Sequence, residues 1–166
     1  MNSRARFVLW ALALSLCLLV PPTATAAPRL WATVNACDTQ ARPDTLGIRA
    51  SMPGNGTKQR LFMRFQAQFY DQAKAEYVNS GPATRWFDVG DARFRTTQAG
   101  YSFEFDAPPI GTEYTLRGLV FFQYRARRDR KLVVVKRARR ITEGGLSGVE
   151  RGDPRGRSEA SCVLRR

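Results

Sequence analysis

The strongest constraint on this chain is an alternation of period two. Leu61, Met63, Phe65, Ala67 and Phe69 share one parity, and Phe62, Arg64, Gln66, Gln68 and Tyr70 share the other. Side chains point alternately to the two faces of a strand, so the pattern predicts a half-buried strand with one face on a core. Tyr101, Phe103 and Phe105 alternate with Ser102 and Glu104 in the same way. Tyr114, Leu116, Val120, Phe122 and Tyr124 repeat the theme, with Leu119 and Phe121 making that strand apolar on both faces. Leu132 to Val135 adds a β-branched run, and further strands are expected at Leu30 to Ala36, Thr45 to Met52, Arg85 to Val89 and Ala160 to Leu164. Asp71 to Tyr77 reads at most as a single helical turn.

Turn chemistry punctuates these runs. Pro53-Gly54-Asn55-Gly56 predicts a tight hairpin, because Asn and Gly accept the positive φ such turns need. Pro108-Pro109-Ile110-Gly111 breaks the chain again before Tyr114. About seven to nine short strands in one domain predict an all-β fold, an antiparallel β-sandwich, with a closed barrel as the alternative. Gly111 to Leu116 matches the entry to the strand that carries the tyrosine corner of immunoglobulin-like domains. A plain core tyrosine at Tyr114 fits equally. Trp86 fits a core tryptophan, although it lacks the antibody placement between two cysteines.

Residues 1–26 read as an export signal. Arg4 and Arg6 form a positive start, Phe7 to Val20 an apolar run, and Ala24-Thr25-Ala26 a small-residue cleavage site. The run is 14 residues long, whereas a spanning helix needs about 20. The mature chain is therefore expected to begin at Ala27, with residues 27–166 as a single sandwich domain and no transmembrane segment. A secreted protein is expected, either free or associated with the cell envelope.

Signal removal takes Cys17 away and leaves Cys37 and Cys162 as a pair. An even count in an exported chain predicts a disulfide. Two thiols in a chain with no histidine cannot supply the usual zinc ligands; no metal and no cofactor is expected. Because the two cysteines fall in the first and last predicted strands, the bridge is not expected to be the central inter-sheet disulfide of antibody domains.

Four stretches carry a resemblance: Leu30-Trp31-Ala32-Thr33-Val34-Asn35-Ala36-Cys37, Gly47-Ile48-Arg49-Ala50-Ser51-Met52-Pro53-Gly54, Thr115-Leu116-Arg117-Gly118 and Ala160-Ser161-Cys162. In them the chain resembles small secreted actinobacterial proteins with an immunoglobulin-like or fibronectin type III-like sandwich. The resemblance implies a fold and a disulfide, and carries over no activity and no binding residues.

Charge is where a function becomes visible. Removing Arg4 and Arg6 lowers the net charge only from +13 to +11. Residues 27–116 hold ten basic and nine acidic side chains, whereas residues 117–166 hold fifteen and five. Arg125, Arg127, Arg128, Arg130 and Lys131 flank an expected turn at Asp129, and Lys136, Arg137, Arg139 and Arg140 follow. If the flanking strands pair, the first group lies at a hairpin tip and the second along the returning strand, on one edge or face.

So dense a patch attracts polyanions. The expected partners are an anionic cell-wall polymer, an acidic lipid surface or an acidic protein. Nucleic acid is disfavoured, because Phe121, Phe122 and Tyr124 read as core rather than as stacking platforms. Basic residues also protect sheet edges, so a passive domain with a merely solubilising surface is the competing reading. No enzyme is expected: without histidine there is no imidazole base, and a carboxylate-dependent hydrolase would have to assemble Asp88, Asp91, Glu104 and Asp106, whose spacing implies no convergence. Arg151-Gly152-Asp153 and Asn55-Gly56-Thr57 match short motifs that chance and turn chemistry explain. Glu143 to Ser158, rich in Gly and Arg, reads as a mobile loop.

Overall fold

The computed structural model describes residues 28–166, so the expected export signal at residues 1–26 lies outside the described residues. Within them the fold is all-β, with nine strands and no helix: β1 (Trp31–Thr39), β2 (Arg42–Pro53), β3 (Arg60–Asp71), β4 (Glu76–Asn79), β5 (Phe87–Asp91), β6 (Thr96–Glu104), β7 (Glu113–Arg128), β8 (Lys131–Ile141) and β9 (Cys162–Arg165). All named pairings are antiparallel. One sheet has the order β1-β2-β6. In the other, β4 and β5 pair with successive parts of β3, β3 pairs with β7, and β8 and β9 share the far side of β7. The result is a sandwich three strands wide against four, an immunoglobulin-like layout.

The alternation of β3 places Leu61, Met63, Phe65 and Ala67 in the core, each fully buried. From β7 come Leu116, Val120 and Phe122, and from the smaller sheet Val34, Leu46, Ile48 and Met52. Gly118 of β7 makes room for this packing. A Cβ there would lie 2.6 Å from Ile48 Cδ1 and 2.8 Å from Thr142 Cγ2, so the opposite sheet packs directly onto its backbone.

Several local expectations are corrected. Pro53-Gly54-Asn55-Gly56 closes no hairpin, because β2 and β3 lie in different sheets and the segment carries the chain between them. Gly54 serves close approach instead: a Cβ there would meet the Phe94 carbonyl oxygen, while Asn55 N and Gly56 N both donate to Ala92 O at 2.9 Å. Asp71 to Tyr77 is a turn followed by β4, a strand too short to show a period. Tyr114 is 37% exposed at the start of β7 and forms no corner; the tyrosine that caps the core is Tyr124, 3% exposed. Trp86 sits part-buried at the surface, outside the core cluster.

The disulfide Cys37–Cys162 is formed, with its Cα atoms 5.3 Å apart. Cys37 belongs to β1 in the smaller sheet and Cys162 to β9 in the larger. The bridge therefore does join the two sheets, at their margin, because β9 pairs with β7 and not with β1.

The segment after β8 is docked rather than loose. It runs along β1, where Val34 and Glu159 exchange backbone hydrogen bonds of 2.9 and 3.0 Å and Asp153 N donates to Asn35 O at 2.7 Å. Side chains add to this: Asn35 Nδ2 donates to Arg151 O, and Thr39 Oγ1 to Asp153 Oδ2. The physical reason is the edge of β1, whose backbone groups need partners that no strand provides.

Candidate functional site

The basic hairpin exists and its register is determined. β7 and β8 pair from Leu119↔Ile141 to Arg128↔Lys131, and the two-residue turn Asp129-Arg130 has φ of 47° and 65°. Positive φ at both central residues suits the strand twist of a tight hairpin. β3 accompanies β7 only as far as Arg125, so the tip stands clear of the rest of the sheet. One irregularity between Tyr124 and Arg125 lets Val135 bulge.

Directly opposed residues share a face, so the register sorts the nine expected contact residues. Arg125, Arg127, Arg137 and Arg139 lie on the outer face of the larger sheet, opposite Val134, Leu132, Gln123 and Phe121. Arg128, Lys131, Lys136 and Arg140 lie on the other side, with Val120 and Tyr124 of the core. Arg130 is in the turn. The nine share the hairpin but not one face.

What the outer face gains is arginine from the inner strands. Antiparallel pairing aligns Arg64 of β3, Phe121 of β7 and Arg139 of β8 in one row across the sheet. The next row is Phe62, Gln123, Arg137, and the one beyond it Arg60, Arg125, Val134. Arg117 lies two rows the other way, opposite Gln68, whose Oε1 accepts from its Nε at 2.9 Å. Sequence spacing places neither Arg60 nor Arg64 beside the hairpin; only the register brings them, with Arg117, to this face.

Two of the guanidinium groups on this face lie on rings. Arg125 Cζ is 3.9 Å from the Phe62 centroid and 5.4 Å from that of Trp86, and Arg117 Cζ is 3.8 Å from the Tyr77 centroid. Such stacking holds a cation in place without neutralising it. Arg60 is instead gripped by both Asp88 oxygens at 3.1 and 2.8 Å. Among the described residues, Arg64, Arg117, Arg125, Arg127, Arg137 and Arg139 form no ion pair. Phe121 is not core: it is half-buried on this face, whereas Phe122 and Tyr124 are buried as expected.

No protein-family model and no curated protein matches the chain. The arrangement must be judged on its own geometry.

The carboxylates considered for catalysis are not brought together. Asp88 and Asp91 lie on β5, bonded to Arg60 and Arg93, while Glu104 ends β6 in the other sheet and Asp106 is exposed beyond it. The bidentate Arg93 holds the Asp91 carboxyl below the usual carboxylate range, as Lys74 does for Asp71. Arg151-Gly152-Asp153 is part of the docked segment, its aspartate engaged with Thr39.

Proposed function

We propose that this is an exported binding module that holds an anionic partner at the cell envelope through the basic outer face of its larger sheet. One observation carries the reading: among the described residues, six arginines without acidic partners occupy that face, and four of them, Arg64, Arg117, Arg125 and Arg127, stand on β3 and β7. Edge protection accounts for basic residues on β8. It gives no reason for guanidinium groups on β3 and β7. Guanidinium is also the cation best suited to phosphate and carboxylate, which it can bind through two parallel hydrogen bonds.

The test is co-sedimentation of the mature chain with purified cell wall and with anionic lipid, at low and high salt. Binding that weakens as salt rises is expected, since exposed charges are screened within about 8–10 Å at physiological ionic strength. Absence of binding to both materials at low salt overturns the reading. Charge reversal of Arg127, Arg137 and Arg139 on that face should weaken association, and an unchanged association would favour a passive surface.

A further inference from the structure

We infer that the partner of this face is an acidic phospholipid bilayer. The inference rests on the anionic-contact reading and narrows its ligand.

The argument comes from what stands between the arginines. On β8 the outer face reads Leu132, Val134, Arg137, Arg139, Ile141, with Leu132 39% and Ile141 46% exposed. On β7 it reads Leu119, Phe121, Gln123, Arg125, Arg127, with Leu119 and Phe121 half-buried. Tyr70, 38% exposed, continues the apolar set on β3. Leu119 and Ile141 are direct cross-strand partners, as are Arg127 and Leu132. Among the described residues, cations and apolar side chains are thus interleaved over the face turned away from the smaller sheet.

A soluble polyanion would use only the cations. A bilayer interface uses both: guanidinium groups meet headgroup phosphates, and apolar side chains enter the boundary of the acyl region. Trp86, part-buried beneath Arg125, is of the residue type that prefers this depth. The charge has the right sign for anionic lipid, and each basic residue near such a surface contributes roughly fivefold in partition. Nothing on the face requires a hydrophobic anchor that spans the membrane.

The experiment compares vesicles of phosphatidylcholine alone with vesicles containing about a third phosphatidylglycerol, using polyphosphate as the soluble polyanion. The intact protein should bind the acidic vesicles, leave the neutral ones, and show a blue shift of Trp86 emission that Trp86→Phe removes. Arg137→Gln with Arg139→Gln should weaken vesicle binding by roughly 25-fold and weaken polyphosphate binding as well. Leu132→Ser with Ile141→Ser should weaken vesicle binding several-fold and leave polyphosphate binding unchanged. These four positions are exposed, and a retained unfolding midpoint confirms that each variant is folded. Polyphosphate binding without vesicle binding overturns the lipid assignment and leaves the anionic reading standing. Vesicle binding indifferent to Leu132 and Ile141 also overturns it, and failure to bind either material removes both.

Discussion

The Tyr124 hydroxyl donates a 2.7 Å hydrogen bond to the Pro53 carbonyl, tying β7 to the last residue of β2 in the opposite sheet. Tyr124 is otherwise sunk in the core, so the bond satisfies a phenol that burial would leave without water. Tyr124→Phe should cost about 1–2 kcal/mol, read from urea unfolding of the oxidised protein. An unchanged midpoint would show that water takes the place of the Tyr124 hydroxyl at the Pro53 carbonyl.

The same residue sets an alkaline limit. Burial raises the Tyr124 phenol above its ordinary value of 10.0. The folded state then keeps a proton that the unfolded state loses, so the contribution is complete below about pH 10 and declines as pH rises through the folded value. Wild-type stability should fall in that window more steeply than that of Tyr124→Phe. Parallel unfolding curves at successive alkaline pH values give the comparison.

Cys37 and Cys162 join the two sheets across a sequence separation of 125 residues. On the chain-entropy account a loop of that length contributes about 4–5 kcal/mol. The double variant Cys37→Ser, Cys162→Ser should lose stability of that order, measured by denaturant unfolding without reductant. Intact mass before and after alkylation should show both thiols protected in the wild type.

Strand positions could be read in the sequence where period two was long, as in β3 and β7, because the alternation directly states which face is buried. β4 could not, since Glu76 to Asn79 is too short to show a period. The Pro53 to Gly56 signal marks a turn, but turn residues do not say whether the flanking strands pair or change sheets. The disulfide followed from counting, while its inter-sheet placement depended on β9 joining β7. At the site, the hairpin was legible from Asp129 between two apolar runs. The row Arg64, Phe121, Arg139 was not, because it joins residues from three strands and exists only once register is known.

Gly118 offers a test of the sandwich itself. A methyl group at this position would overlap Ile48 Cδ1 and Thr142 Cγ2, and overpacking of this kind costs about 1–3 kcal/mol. Gly118→Ala should therefore destabilise, and Ile48→Val alone should cost about 0.5–1.5 kcal/mol. Together they should cost less than the sum, because the valine withdraws Cδ1, the nearest of the atoms that the new methyl meets. Additive losses in that double-mutant cycle would mean that Ile48 and Gly118 are not packed as described.

The docked segment after β8 makes the last prediction, and it opposes composition to structure. Glu143 to Ser158 contains Arg151, Arg155 and Arg157, and an exposed flexible stretch of this kind would be cut rapidly by trypsin. Backbone bonds to Val34 and Asn35, with the Asn35 and Asp153 side-chain bonds, hold it against β1 instead. Cleavage then requires local opening, and its rate follows the open population. Removing Asn35 and Asp153 side chains by alanine substitution deletes two of these bonds, each worth about 1 kcal/mol, or roughly fivefold in opening. Limited proteolysis should show slow cutting at the three arginines in the wild type and clearly faster cutting in the double variant. Equal rates in the two proteins would mean that β1 does not hold the segment, and its edge would then have to find its partners elsewhere.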